Sequence, residues 1–214
     1  LVEPKTWKKP FKDALTYIIS KVIELLNKIT EAGKRILLIG SPVDVIIASP
    51  VGVIKVINDE VVENTISESN VLVLNYSKLI ILPSDINYQV VIEGYDYGSV
   101  TIYDINRVNE ETMLSHVELS VSPTTTLSFN LSNNTLINSI DVDDDGDGVT
   151  DYVTTPSRYK LPKTPPIMVP VGGQLLIEQK DLRNDHELTD LIIAILVIVL
   201  NCFAAYILSR SIHS

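Results

Sequence analysis

Short runs of alternating hydrophobic and polar residues dominate the chain from residue 34 onward. The alternation is clearest in residues 43–47, 90–92, 100–102 and 117–121. A period of two directs one set of side chains into a core and the other set toward solvent, as in the strands of an antiparallel sheet. The pattern predicts strands near residues 35–39, 43–48, 52–57, 71–74, 79–82, 88–94, 99–105, 113–121, 125–130 and 136–142.

These predicted strands follow one another without an intervening helical period. Turn-forming residues separate several of them, for example Ser49-Pro50 and Ser122-Pro123. The organisation predicts a mainly β fold over residues 34–154, a β-sandwich of the immunoglobulin-like or jelly-roll-like kind.

Residues 10–32 show a different pattern, with hydrophobic side chains at steps of three and four. This is the spacing of an amphipathic helix, and Pro10 and Gly33 suit its first turn and its C-terminal cap. We therefore predict a helical segment over residues 1–33. Its apolar face either packs on a neighbouring domain or sheet, or binds a membrane surface or a partner.

The C-terminal part of the chain begins with a proline-rich stretch. Five prolines lie between residues 155 and 173, and such a density favours an extended, stiff chain over a packed element. We predict a linker and juxtamembrane stem over residues 155–190.

A hydrophobic run follows the predicted stem. The eighteen residues Leu191–Leu208 contain no charge, and at about 1.5 Å per residue they cover roughly 27 Å, close to the hydrocarbon thickness of a bilayer. We predict a transmembrane helix over residues 191–209, with a buried core helix as the alternative. Arg210 favours a cytoplasmic tail of residues 210–214 and an extracellular N-terminal domain.

Composition and charge narrow the functional classes. The 214 residues are 45% hydrophobic, which supports a packed core, and 27 acidic against 17 basic residues give a net charge of −10. An acidic chain without a basic stripe argues against nucleic-acid binding. Cys202 is the single cysteine, so no intrachain disulfide can form.

The strongest chemical signal is the acidic segment 141–151, which holds six aspartates. Hard divalent cations bind several oxygen ligands at about 2.3–2.6 Å, and alternate carboxylates in a tight glycine loop supply them. Counted as a calcium loop, the segment places Gly148 at the sharp turn. The predicted Ca²⁺ ligands are the carboxylates of Asp143, Asp145, Asp147 and Asp151 and the backbone carbonyl of Val149.

This loop differs from an EF-hand, because Thr154 stands where an EF-hand has its bidentate Glu and the flanks are strand-like. It resembles the aspartate-rich loops of dockerins and thrombospondin type 3 repeats. The missing carboxylate predicts weak affinity of the extracellular type. A solvated acidic turn is the alternative, and Asp141 and Asp144 are either supplementary ligands or solvated.

Three N-glycosylation sequons begin at Asn75, Asn130 and Asn133. Together with the acidic loop they favour a location outside the cell. The histidines do not suggest a catalytic site, and neither a G-x-S-x-G elbow nor a phosphate-binding glycine loop occurs in the sequence. We therefore expect a protein that is not an enzyme.

Several stretches resemble a β-sandwich module found in archaeal and bacterial secreted proteins. The segment GSPVDVIIASPVG at residues 40–52 resembles its opening, and Pro170–Gly173 before the hydrophobic run resembles the membrane-anchor ends of archaeal surface proteins. The resemblance implies an accessory or structural module. The middle of the secreted module is similar to residues 80–83, 88–94 and 97–103, and its acidic C-terminal part is similar to residues 143–151.

The combined expectation is a calcium-stabilised β-sandwich with a structural or adhesive role, anchored in the membrane and facing outward. Neighbouring surface proteins or further copies of the chain are its expected partners. Two alternatives stay open. The chain is the accessory and anchor region of a larger secreted hydrolase, a protease or lipase whose catalytic domain precedes Leu1. Or it is a tail-anchored cytosolic adaptor that binds through the helix at 10–32.

Overall fold

The computed structural model describes residues 21–74, 77–162, 168–171 and 174–177, with side chains described for the first two ranges. The chain divides into a unit Lys28–Leu161 and a second unit formed by Leu1–Asn27 and Pro162–Ser214.

A six-stranded sheet forms one layer of the unit Lys28–Leu161. Its strands are β1 (Lys34–Gly40), β5 (Asn70–Leu74), β6 (Ser77–Pro83), β8 (Gly98–Val108), β9 (Glu111–Val121) and β13 (Ser157–Lys160). They are arranged in the order β13-β9-β8-β1-β6-β5. All neighbours pair antiparallel.

A seven-stranded sheet forms the other layer. Its strands are β2 (Val43–Ser49), β3 (Gly52–Ile57), β4 (Glu60–Asn64), β7 (Tyr88–Gly94), β10 (Thr126–Leu131), β11 (Ile140–Asp143) and β12 (Tyr152–Thr154). Their order is β12-β11-β10-β7-β2-β3-β4. These pairings are antiparallel as well.

The two sheets share one hydrophobic core. Alternate residues of β2 enter it from one sheet, and Leu37 and Ile39 of β1 enter it from the other. Two antiparallel sheets that bury their facing sides against each other form a β-sandwich-like architecture. The structure thus confirms the predicted mainly β class, because the period-two pattern of the strands is what such a core requires.

Five strands lie where the hydrophobic pattern predicts none: β4, β12 and β13 of the unit Lys28–Leu161, and β14 (Met168–Val171) and β15 (Gln174–Ile177), which lie in the predicted stem. β4 and β12 are short and largely exposed, so their side chains carry no alternation. β13 lies within the segment for which the sequence predicts an unpacked linker. Its extended backbone, bounded by Pro156 and Pro162, pairs with β9 at the edge of the sheet. A proline is tolerated at such an edge, where one side of the backbone needs no partner.

The described residues of the second unit are few. Residues 21–31, of which 21–27 belong to this unit, are helical and fall inside the predicted helix of residues 10–32. The side-chain amide of Asn27 donates to the Pro162 carbonyl oxygen at 3.1 Å. Strands β14 (Met168–Val171) and β15 (Gln174–Ile177) form an antiparallel pair.

The predicted membrane span 191–209 and the tail 210–214 lie outside the described residues. Among the described residues, no helix is both long and apolar enough to cross a membrane.

A fully buried ion pair joins β1 to β8. The side chains of Arg35 and Asp104 are both 0% exposed, and Arg35 Nε donates to Asp104 Oδ1 at 2.7 Å. A second bond runs from Arg35 Nη2 to Asp104 Oδ2 at 3.0 Å. Two parallel bonds between a guanidinium and a carboxylate fix the orientation of both groups.

The same pair holds the connection between β10 and β11. Arg35 also donates to the carbonyl oxygens of Ser132 at 3.1 Å and Thr135 at 2.6 Å, and Asp104 Oδ2 accepts from the backbone N–H of Ile137 at 2.8 Å. This connection has no regular strand between residues 132 and 139. Hydrogen bonds between the backbone of this connection and the side chains of the ion pair therefore take the place of strand pairing.

We expect Arg35→Met to lower the free energy of unfolding by about 3–5 kcal/mol, because it leaves the carboxylate of Asp104 buried and unpaired. The double variant Arg35→Met with Asp104→Leu is expected to lose less, since it removes both charges. Urea-induced unfolding measures both effects.

Arg107→Met is the matched control for this prediction. Arg107 lies on the same strand, β8, is 36% exposed and contacts Glu31 at 3.5 Å. An exposed ion pair contributes at most about 1 kcal/mol. If the double variant were no more stable than Arg35→Met alone, the loss of stability would not be caused by the unpaired carboxylate of Asp104.

Candidate metal centre

The acidic loop connects two neighbouring antiparallel strands. β11 ends at Asp143 and β12 begins at Tyr152, and the ladder between them continues with a bond from the Asp151 N–H to the Val142 carbonyl oxygen at 2.8 Å. Pairing of the two strands therefore brings the two ends of the loop together. Asp143 and Asp151 become neighbours in space although seven residues separate them in the chain.

Three of the predicted ligands converge. Asp143, Asp145 and Asp151 each offer a carboxylate oxygen, and these oxygens all lie within 4.8 Å of one another. Oxygens bound to one Ca²⁺ at about 2.4 Å are at most about 4.8 Å apart. The spacing of the three carboxylates thus fits a single calcium ion, and Asp145 and Asp151 are open to solvent.

Backbone N–H groups of the loop orient these carboxylates. Asp143 accepts from Gly146 at 2.8 Å through Oδ1 and from Gly148 at 2.9 Å through Oδ2. Asp151 Oδ2 accepts from the N–H of Asp144 at 2.7 Å. Each carboxylate oxygen keeps a second lone pair, so these bonds leave room for a cation.

Glycine is favoured where the backbone of the loop is left-handed. Gly146 has φ of +78°, and a Cβ there would lie 3.1 Å from the carbonyl oxygen of Thr124. Thr124 and Thr125 belong to the neighbouring turn, and their hydroxyls donate to the carbonyl oxygen of Asp144 at 2.9 Å and to its Oδ1 at 3.1 Å. The loop is thereby fastened to the turn that precedes β10.

The other aspartates of the loop are not in this converging group. Asp147 is not among the converging carboxylates, and its Oδ1 accepts from the N–H of Val149 at 2.7 Å. Asp144 points to Thr125, as described above, and Asp141 lies on the exposed side of β11. The spacing of the aspartates along the chain therefore identified the acidic loop. The register of β11 with β12 determines which three of its carboxylates come together.

The loop creates a negative field at the start of β12. Burial raises the pKa of the Tyr152 phenol, and the charges of Asp144 and Asp151 raise it further. A bound cation would offset this field.

Two of the three predicted glycosylation sites lie in the described part of the chain. Asn130 at the end of β10 and Asn133 in the following connection are both exposed, so their side chains are accessible to a transferase. Asn75 lies outside the described residues.

A second polar cluster, which the sequence analysis did not identify, surrounds Lys78. This side chain is 0% exposed and donates to Asp59 Oδ1 at 2.6 Å and to Ser41 Oγ at 3.0 Å. Tyr95 donates to the other oxygen of Asp59 at 3.1 Å. Lys78 lies on the same core-facing side of β6 as Ile80 and Leu82. A charged residue at a core-facing position of the alternating pattern is the sequence signal that could have identified this cluster.

The chemistry of this cluster is that of an ion pair. A serine beside a lysine is a nucleophile and base in some hydrolases, and such a lysine must be neutral to accept a proton. Here the Nζ of Lys78 pairs with the carboxylate of Asp59 at 2.6 Å. Burial alone raises the pKa of Asp59, but the hydrogen bond and charge of Lys78 outweigh it and hold the pKa below its ordinary value of 3.8.

Comparisons with known proteins do not assign a family. No family model, curated protein or solved structure matches the chain. The resemblance of residues 40–52 to a module of secreted proteins therefore stays a prediction.

We expect Asp59→Asn to lower the free energy of unfolding at neutral pH by about 1–3 kcal/mol, because the buried ammonium of Lys78 loses its counter-charge. The stabilisation by Asp59 is present above pH 3.8 and is lost as the pH falls through the lower pKa of the folded state. The difference between the variant and the natural protein should therefore shrink below pH 3.8.

Urea-induced unfolding at neutral and at acidic pH measures this difference. Asp96→Asn, at an exposed carboxylate between β7 and β8, is the control. A difference that stays constant down to the acid limit would show that the charge of Asp59 is not the cause.

Proposed function

We propose that this protein is a non-catalytic structural or adhesive β-sandwich module that binds Ca²⁺ and acts outside the cell. The observation that supports it best is the convergence of Asp143, Asp145 and Asp151 within 4.8 Å. A few carboxylates in an exposed loop give the weak affinity that suits millimolar extracellular calcium. The hydrophobic run Leu191–Leu208 supports an anchor in the membrane.

The cation has a defined structural task in this proposal. Three carboxylates at this spacing repel one another, and a divalent ion replaces the repulsion by attraction. The loop is bonded to Thr124 and Thr125 on one side and leads into β12 and β13 on the other. Calcium would therefore stiffen the last strands of the sandwich, from which the proposed stem continues.

The finer fold assignment belongs to the same proposal. The chain passes from one sheet to the other between β1 and β2, β4 and β5, β6 and β7, β7 and β8, β9 and β10, and β12 and β13. Repeated crossing of this kind is typical of immunoglobulin-like and jelly-roll-like sandwiches.

We expect millimolar Ca²⁺ to raise the melting temperature of the EDTA-treated protein. A ligand that binds only the folded state at about 100 times its Kd adds about 2.7 kcal/mol of stability. Asp145→Asn and Asp151→Asn are expected to abolish most of this shift, since each removes a converging charge but keeps an oxygen acceptor for the loop N–H groups. Differential scanning calorimetry in EDTA and in calcium measures the shift.

Two further variants serve as controls. Asp96→Asn removes an exposed carboxylate outside the acidic loop and should leave the calcium shift unchanged. Asp147→Asn removes a carboxylate inside the loop but outside the converging group, and it should reduce the shift less than Asp145→Asn does. The absence of a shift at any calcium concentration would refute the calcium centre and leave a solvated acidic turn.

The proposed location can be tested separately. In intact cells that express the chain, a protease that cannot cross membranes should remove the sandwich and leave the segment after residue 190 in the membrane fraction. A sandwich that becomes accessible only after the cells are permeabilised would support the cytosolic adaptor instead.

A further inference from the structure

The free edge of β5 differs from the other edges of the two large sheets. β5 is the last strand of the six-stranded sheet, and its five residues, Asn70–Leu74, carry no charge. Of the other edge strands, β4 carries two glutamates, β13 carries an arginine and a lysine, and β12 has only three residues. Charged or very short edges prevent sheet-to-sheet pairing. β5 has neither protection.

The outward backbone groups of β5 belong to Val71 and Val73. Leu74 pairs with Ser77 across two intervening residues, and the residues that close such a hairpin bond to each other. The direction of the backbone groups then alternates along the strand. The N–H and C=O groups of Leu72 therefore also point toward β6, whereas those of the two valines point away from it. No strand of the described residues pairs with β5 on that side.

The side chains at this edge are apolar on both faces. Val71 and Val73 pack against the sandwich core and are only partly buried, and no strand among the described residues flanks them beyond the edge. Leu72 points to the opposite face and is 41% exposed. A strand added here would cover all three side chains and bond to the free backbone groups, as in β-strand addition.

We propose that β5 pairs antiparallel with β5 of a second copy of this chain, about a twofold axis at Leu72. In this register all five residues of the strand overlap with their counterparts. Val71 lies opposite Val73 of the second copy, and Leu72 lies opposite its own counterpart. The two valine pairs are the ones whose N–H and C=O groups face outward, so each pair exchanges two hydrogen bonds. The result is an isologous interface.

The absence of charge at β5 allows a second copy to pair at this edge. The net charge of −10 makes two copies repel at most orientations, and like charges opposite each other destabilise a strand pair. At β5 valine faces valine, leucine faces leucine, and Asn70 faces Leu74. Lys34 and Glu68, close to the start of β5, neutralise each other at 2.6 Å.

The candidate metal centre stays free in this dimer. β5 and β13 lie at opposite ends of the six-stranded sheet, and β12, which follows the acidic loop, is the edge of the other sheet away from β4. Dimer formation through β5 is therefore independent of calcium, and the two proposals fail or succeed separately.

Site-specific crosslinking tests the register. The full chain carries Cys202→Ser, is produced without N-glycosylation because Asn75 directly follows β5, and is purified in an uncharged detergent. With Leu72→Cys the two Cα atoms lie about 4.5 Å apart across the axis, inside the usual range for a disulfide of about 4.4–6.8 Å. With Asn70→Cys they lie more than about 13 Å apart, since four residues at about 3.4 Å separate them along the strands.

We expect mild oxidation to crosslink most of the Leu72→Cys protein and little of the Asn70→Cys protein. Both positions are exposed residues of the same strand, so random collision would crosslink them equally. Equal crosslinking of the two, or none of either, overturns the proposal.

Charge reversal tests the same interface without a crosslink. Leu72→Lys and Leu72→Glu should each be monomeric by analytical ultracentrifugation, and a mixture of the two should recover the dimer. Val153→Lys, on the edge strand β12, is 58% exposed in the natural protein and should leave the dimer intact. A monomeric natural protein, or a dimer that survives Leu72→Lys, would overturn the proposal.

Discussion

The sandwich depends on the complete burial of one ion pair. Arg35 and Asp104 have no solvent exposure, and taking two such charges out of water is costly unless every donor and acceptor is satisfied. Here the satisfaction comes from the other side of the core, through Ser132, Thr135 and Ile137. The need to pair these charges therefore fixes how the connection from β10 to β11 covers the core. Since β11 leads into the acidic loop, the pair also sets the base of the candidate metal centre.

Antiparallel pairing then produces the chemistry of that centre. The carboxylates of Asp143 and Asp151 meet because β11 and β12 are neighbours, and Asp145 joins them from the turn. The hydroxyls of Thr124 and Thr125 hold Asp144 away from the group. A cation at this point would join the last strands of the sandwich to the turn before β10.

The acidic loop and the uncharged strand β5 lie at different edges of the two sheets. One side of the sandwich carries the acidic loop and the short strand β12, and the six-stranded sheet ends there with the charged strand β13. The other side ends in the uncharged strand β5. The proposed sites for calcium and for a second copy therefore lie at different edges of the sheets and leave each other accessible.

The sequence by itself determined the local features: the strands of residues 43–47 and 117–121, the helix, and the acidic loop with its glycines. These follow from side-chain period and backbone preference, which act over a few residues. Tertiary structure alone decided which residues meet. Arg35 and Asp104 are 69 residues apart, β13 is a strand only because β9 offers it an edge, and Asp147 is left out of the group that its spacing predicts. A charge in the core-facing phase of a strand, as at Arg35 and Lys78, signals a buried partner. The identity of that partner depends on strand order and register, which distant contacts set.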